Sequence, residues 1–212
     1  MHIRTPALIC AVRPHGETAV IARLLTADHG LVAGYVAGGR GRQLRPVLIP
    51  GNVVDAEIDA RSPNRLAWAR VELMQSRGPW LSEPLPAAAI GWTTVLPAAV
   101  LPERHPYPAI YDAALALLDA ICLAPSARGW IGPLAGFERL VLRELGYGGQ
   151  AVRPETDNWA GLMAAFDRSG VQIERYLLAD RGAADKGADV MTARALLRER
   201  LRRMTGENWG QT

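Results

Sequence analysis

The sequence has little of what disulfide or zinc chemistry requires. Its 212 residues include two cysteines, Cys10 and Cys122, which lie far apart and inside apolar runs. Isolated cysteines with apolar neighbours are typical of buried thiols in a reducing compartment. A thiolate zinc site needs clustered cysteines, and the chain has no Cys-x-x-Cys pair. We therefore predict no zinc and no other bound cofactor.

Catalytic signatures are also lacking. The four histidines are not spaced as metal ligands, and neither a Gly-x-Ser-x-Gly nor a His-Glu-x-x-His motif is present. No Gly-Lys-Ser/Thr sequence follows the glycine-rich segment, which excludes the phosphate-binding loop of nucleotide hydrolases. These absences favour a binding protein over an enzyme.

Long apolar segments are scarce as well. The run "PALICAV" has seven residues and ends at Arg13, which is too short for a signal peptide. The stretch from 85 to 102 is interrupted by prolines and is a poor candidate for a membrane span. We expect a soluble, cytoplasmic protein.

Positive charge is present but is distributed unevenly. The net charge is +3, and hydrophobic residues make up 49% of the chain, which is ample for a core. The first 80 residues carry ten arginines against six acidic residues, whereas the remainder is close to balanced. This asymmetry indicates a polyanionic partner for the first third of the chain.

The pattern of the first 75 residues predicts a small closed barrel of five strands. Short β-branched runs alternate with turn residues at close spacing, as in an antiparallel meander. The predicted strands are Ala7–Arg13, Thr18–Thr26, Leu31–Gly38, Asn52–Arg61 and Arg65–Met74. We assign residues 1–78 to this barrel domain.

From residue 82 onward the pattern becomes helical, and we assign 82–212 to an all-α domain. Prolines at 79, 84, 86, 97, 102, 106 and 108 are expected to mark junctions between helices. The strongest helix signals are Ala109–Ala124, the segment "PLAGFERLVLRELGYGG", and Asp189–Met204.

The segment "VAGGRGRQLRP", residues 36–46, combines three arginines with three glycines and contains no acidic residue. Glycine allows close approach to a phosphate, and arginine binds phosphate with two parallel hydrogen bonds. We expect a flexible, glycine-hinged loop that projects from the barrel and binds nucleic acid; the alternative is a solvated hairpin whose charge aids solubility. The candidate DNA-binding residues are Arg40, Arg42 and Arg45 on the loop, with Arg13 and Arg23 on neighbouring strands.

Two other groups of residues fit different functions. Asp55, Glu57 and Asp59 lie on one face of a predicted strand and give the alternative of a metal-dependent nuclease, although a solvent-facing strand is favoured. Tyr35 and Trp68 fit base stacking, but core packing is favoured for both.

The last predicted helix carries arginines at four-residue spacing, which repel one another along one face. They are Arg194, Arg198 and Arg202. An acidic partner would relieve this repulsion; the alternative is a cationic helix end that favours the macrodipole, which does not account for Arg194.

Three ordered segments resemble the RecO family of bacterial recombination mediators. They are "RPHGETAVIARLLTADHGLVAGYVAGGRGR", "VLPERHPYPAIYDAALALLDA" and "FERLVLRELGYG". Together they cover roughly residues 8–150. The resemblance implies an oligonucleotide-binding (OB) fold followed by a helical domain, and it places Arg40 and Arg42 at basic positions of the family.

The resemblance further implies binding of single- and double-stranded DNA, strand annealing, and help in loading RecA onto DNA coated by single-stranded-DNA-binding protein. The implied partners are RecR and the acidic C-terminal tail of the coating protein, in a bacterial cytoplasm near the nucleoid. Besides DNA binding and the nuclease alternative, a third possible function is that of a pure adaptor, whose barrel binds protein instead of DNA. Arg139 and Arg143 are our candidates for binding the tail. Many relatives carry four zinc-binding cysteines after Leu-Gly-Tyr-Gly, where this chain has none.

Overall fold

The computed structural model describes residues 2–60, 66–148, 158–179 and 184–206. The chain forms two compact units, one from residues 1–82 with 101–112, and one from 83–100 with 113–212. The division into domains at 1–78 and 82–212 stays a prediction, to which the structure adds that segment 101–112 groups with the first unit.

The described part of the first unit is a closed barrel of five strands, which confirms the predicted fold class. The strands are β1 (His2–His15), β2 (Ala19–Thr26), β3 (Gly30–Val36), β4 (Val53–Asp59) and β5 (Ala67–Gln75). They pair in the order β1-β2-β3-β5-β4, and β4 returns to β1. All of the pairs are antiparallel except β3 with β5. The predicted ends at Arg61 and Arg65 lie outside the described residues.

Alternation of side chains explains how the barrel encloses its core. On β4, Val54, Ala56 and Ile58 are fully buried, whereas the acidic residues between them face outward. β1 begins five residues before the predicted start and is long enough to pair with both β2 and β4. Its register shifts between Ile9 and Ala11, and such a bulge bends a strand toward two neighbours.

The two cysteines lie in different surroundings. Cys10 is buried, and this burial raises the pKa of its thiol to about 12, so that the thiol stays protonated and unreactive. Cys122 is half-buried.

In the described residues, five α-helices follow the barrel. They are α1 (Pro84–Val100), α2 (Pro108–Leu123), α3 (Ile131–Glu144), α4 (Trp159–Ile173) and α5 (Ala184–Gly206). The expectation that every proline marks a junction is wrong for Pro97, which lies inside α1. Burial outweighs the lost backbone hydrogen bond there, because most of the residues of this helix are buried. None of the helices in the described ranges has the length and apolarity to cross a bilayer.

A buried ion pair joins helices α3 and α5. The guanidinium of Arg194 on α5 pairs with the fully buried Glu138 of α3 at 2.9 Å. Trp92 Nε1 also donates to this carboxylate at 2.8 Å, and the Ser169 hydroxyl donates to its other oxygen. Any Cβ on Gly170 would overlap the guanidinium. Burial raises the pKa of Glu138, and Arg194 opposes that effect.

Two of the α5 arginines have acidic partners on neighbouring helices. Arg194 pairs with Glu138, and Arg198 forms a two-hydrogen-bond pair with Asp167 of α4 at 2.6 and 2.8 Å. Arg198 holds the pKa of Asp167 below its ordinary value. The charge repulsion noted in the sequence is therefore relieved within the chain itself.

Candidate nucleic-acid interface

The arginine loop between β3 and β4 is folded against the barrel. Leu48 is buried in the barrel core, and Leu44 and Val47 pack partly against it. Successive backbone hydrogen bonds turn the chain, including Arg45 N to Gly41 O at 3.0 Å and Leu48 N to Leu44 O at 2.8 Å. The expectation of a flexible, projecting loop is therefore wrong, because its apolar residues gain more from burial than from exposure.

Arg40 ties the loop to the turn between β1 and β2. Its backbone N–H donates to Thr18 O at 2.9 Å, and its Nη1 donates to the carbonyl oxygens of Gly16 and Glu17 at 3.3 and 3.0 Å. One terminal nitrogen is used in this way, and Arg has five donors in all. The side chain is thus held in place, while no bond of Nε or Nη2 is found among the described residues.

The three loop arginines are exposed at one end of the barrel. Arg40, Arg42 and Arg45 pair with no carboxylate in the described part of the chain; Arg45 Nη2 donates weakly to Arg40 O at 3.5 Å. Cations held close together without counterions repel one another, and a polyanion would relieve that repulsion. The structure thus leaves these guanidinium groups accessible, as DNA binding requires.

The two strand arginines differ from each other. Arg13 is exposed on the outer surface of β1. Arg23 is half-buried on β2, and its Nη2 lies 3.5 Å from an oxygen of Glu103. Because Glu103 offsets part of its charge, Arg23 is less available to a phosphate than Arg13 is. The DNA-binding roles of both residues stay predictions.

The carboxylates of β4 face outward, but two of them have cationic neighbours. Asp55 pairs with Arg4 at 2.6 Å, and Glu57 lies 3.7 Å from Arg70. Within the described ranges no three His, Cys, Asp or Glu side chains are grouped as metal ligands. The structure therefore gives no support to the nuclease alternative.

Three rings form a continuous row on the outside of the barrel. Tyr35 and Trp68 face each other across the parallel β3–β5 pair with ring centroids 4.7 Å apart, and the His15 ring meets Tyr35 at 5.8 Å. Trp68 is 58% exposed. Core packing, which the sequence favoured for both residues, is wrong for Trp68, and Tyr35 is only half-buried.

The row includes a residue that the sequence analysis missed. His15 lies two positions after Arg13 on β1, on the same outer face. Strand alternation could have placed His15 on the outer face. Its position beside the other two rings follows only from the pairing of β3 with β5. We call His15, Tyr35 and Trp68 the aromatic row.

The arginines proposed for partner binding lie on α3. Arg139 is half-buried, and Arg143 is exposed and donates to Glu144 at 3.0 Å. Beyond the helix, the rings of Tyr147 and Tyr176 stack with centroids 5.5 Å apart. Gly148, which follows Tyr147 in the chain, lies against the Cα, Cβ and Cγ atoms of Arg143.

The fold and the loop together define a class of protein: a small oligonucleotide-binding barrel with an exposed cationic loop, followed in sequence by helices. The family model described as "Recombination protein O N terminal" matches residues 1–77. The DNA repair protein RecO of Rhodospirillum centenum is 43% identical over 143 residues, which cover 67% of this chain and 56% of that protein.

Two further relatives carry the same name. The protein of Rhodospirillum rubrum is 42% identical over 146 residues, 66% of this chain and 57% of the relative. The protein of Dinoroseobacter shibae is 33% identical over 185 residues, 82% of this chain and 76% of the relative. The chain belongs to the DNA repair protein RecO family, and its matches to the two Rhodospirillum proteins span less than two thirds of their length.

Proposed function

We propose that this protein is a non-enzymatic DNA-binding protein of recombinational repair. The observation that carries the proposal is the set of exposed arginines at 40, 42 and 45, which have no carboxylate partner in the described residues and of which Arg40 is anchored by hydrogen bonds to Gly16 O and Glu17 O. The family membership and the names of the relatives support a role in DNA repair. Phosphate contacts dominate the affinity of such proteins, so binding should weaken steeply with salt.

The first prediction tests the loop. Arg40→Ala combined with Arg42→Ala should lower DNA affinity about tenfold at about 50 mM salt. It should also flatten the dependence of log K on log salt by about 1 to 2, because two phosphate contacts are removed. Fluorescence anisotropy with a labelled oligonucleotide measures both quantities. The two substitutions should leave the fold intact, because both side chains are exposed and the backbone hydrogen bond from residue 40 to Thr18 O remains when the side-chain bonds of Arg40 to the turn are lost.

A matched control removes the same charge elsewhere. Arg4→Ala with Arg203→Ala deletes two exposed arginines that already pair with Asp55 and Glu199. This variant should keep the salt slope of the wild type. An equal loss of DNA affinity in both double variants would mean that net charge alone explains the effect, and it would contradict the assignment of DNA binding to the loop. A wild-type protein that binds RecR but no DNA at low salt would support an adaptor instead.

We further propose that the protein anneals complementary strands and helps RecA to load on DNA coated by single-stranded-DNA-binding protein, with RecR as a second partner. The acidic tail of the coating protein would bind Arg143 and Arg139, with the stacked rings of Tyr147 and Tyr176 contributing from the segment that follows α3, where Gly148 lies against Arg143. Arginine pairs carboxylates with defined geometry, and the tyrosine rings offer an apolar surface next to it.

The second prediction concerns this tail. Arg139→Ala with Arg143→Ala should weaken binding of a synthetic acidic tail peptide about fivefold. It should also slow annealing of oligonucleotides coated by the cognate protein, while annealing of bare oligonucleotides is unchanged. Slower annealing on bare strands too would place these arginines in DNA binding, against the proposed tail site.

A further inference from the structure

The aromatic row is exposed where folding does not require it. Three aromatic rings lie in succession on one outward face, and the largest, Trp68, is 58% exposed. The barrel core is formed by the opposite face of the same strands, so these rings add nothing to its interior. A contiguous exposed aromatic surface commonly marks a binding site.

An open pocket continues the row beyond Trp68. It has a volume of about 280 Å³ and is lined by His2, Glu57, Asp59, Trp68, Ala69 and Arg70. Ligand pockets usually range over about 300–1,000 Å³, so this one suits a small flat group such as a single base. Asp59 lies directly opposite Trp68 across β4 and β5, where a carboxylate can accept hydrogen bonds from the edge of a base stacked on the indole.

The other end of the row reaches the arginine loop. His15 is followed by Gly16 and Glu17, whose carbonyl oxygens hold the Arg40 side chain. Paired positions connect Arg13 on β1 to Trp68 on β5 through Ile21 and Tyr35. Three steps between neighbouring strands span about 14 Å, which matches a few nucleotides of an extended strand.

We propose that the aromatic row and the adjoining pocket form a subsite for unpaired bases, which gives the barrel a preference for single-stranded over duplex DNA. The arginines hold phosphates of either form, whereas bases in a duplex are already stacked and cannot reach the rings. Stacking on aromatic side chains contributes to single-strand binding whatever the sequence, since every base has a flat face. This inference rests on the proposed DNA-binding function and adds the form of DNA that the site selects.

The test compares three single variants on two DNA forms. Trp68→Ala should lower affinity for a single-stranded oligonucleotide about tenfold and change affinity for a blunt duplex of equal length less than about twofold. Trp68→Phe should retain most of the single-strand affinity, because it keeps a ring. Met74→Ala is the matched control: it removes an equally exposed side chain, also 58%, from the same strand at a distance from the row, and it should change neither affinity.

Abasic oligonucleotides isolate the stacking contribution. Wild-type protein should bind a strand of abasic sites at least as weakly as Trp68→Ala binds the normal strand. Trp68→Ala should distinguish the two strands less than the wild type does, because only the rings of His15 and Tyr35 remain to stack on bases. Equal loss of single-strand and duplex affinity in Trp68→Ala, or no loss, overturns the inference. If Arg40→Ala with Arg42→Ala still loses affinity in that case, the proposed function stands without the subsite. If the wild type binds neither DNA form, both fail.

Discussion

Arg194→Met is expected to lower the free energy of unfolding by about 3–5 kcal/mol at neutral pH, the usual cost of removing one partner of a buried ion pair. The substitution keeps an unbranched side chain against Phe166, whose ring the guanidinium now covers at 3.8 Å. It leaves the carboxylate of Glu138 fully buried without its cation. Since domains are stable by about 5–15 kcal/mol, urea denaturation should show a clearly lower midpoint.

Arg198→Met on the same helix is the matched control. Arg198 also pairs with a carboxylate through two hydrogen bonds, but its side chain and that of Asp167 are 38% and 35% exposed. Water can hydrate the Asp167 carboxylate once the arginine is gone, so the cost should be at most about 1 kcal/mol. Similar losses in the two variants would mean that burial does not set the importance of the Arg194 pair.

The cost of Arg194→Met should depend on pH in a defined direction. Burial raises the pKa of Glu138 and is the largest influence on it, and Arg194 is the main opposing group. Without Arg194 the folded protein binds a proton at this carboxyl more readily than the unfolded chain does. Protonation of Glu138 therefore stabilises the folded variant. This stabilisation is complete below about pH 4 and is lost as the pH rises through the pKa of Glu138 in the folded variant. The stability deficit of Arg194→Met relative to wild type should therefore narrow as the pH is lowered from neutral toward the ordinary pKa of a glutamate.

Gly30→Ala is expected to lower the free energy of unfolding by about 2–5 kcal/mol for two separate reasons. Gly30 has a φ of +66°, a left-handed conformation that costs alanine about 1–2 kcal/mol. A Cβ at this position would also stand 2.0 Å from the carbonyl oxygen of His105, a backbone atom that cannot turn away. Segment 103–105, which hydrogen-bonds Leu31 through Arg104 N at 2.9 Å, would have to move.

Gly16→Ala separates these two effects. Gly16 has nearly the same φ, +61°, but a Cβ there would meet no atom within 4 Å. It should therefore cost only the conformational part, about 1–2 kcal/mol. The difference between the two variants in parallel urea titrations measures the steric overlap at His105, and equal losses would show that segment 103–105 yields without cost.

The barrel strands illustrate what the sequence could predict. Alternation along β4 correctly assigned Val54, Ala56 and Ile58 to the core and the acidic residues to the outer face, because the two-residue period of a strand is a local property. Local sequence reasoning failed for Pro97, which was expected to mark a junction between helices. Whether Pro97 ends a helix depends on how completely its surroundings are buried, and no local pattern carries that information.

The candidate site divides in the same way. The composition of residues 36–46 is enough to show three arginines without acidic neighbours and to predict a polyanionic partner for them. Whether their loop projects or folds back was decided by Leu44 and Leu48, which find the barrel core only after the strands close. The row of His15, Tyr35 and Trp68 joins three strands, and the parallel pairing of β3 with β5 creates it.

By itself, the sequence determined the order of the barrel and the helices, the excess of positive charge near the start, and the RecO resemblance, because periodicity, composition and motif order are carried by neighbouring residues. Tertiary structure alone decided which charges stay available. Arg194 and Arg198 are neutralised by carboxylates from distant helices, whereas Arg40, Arg42 and Arg45 have no carboxylate partner among the described residues. The physical reason is that ion pairs form across space, where the fold places two groups within about 4 Å.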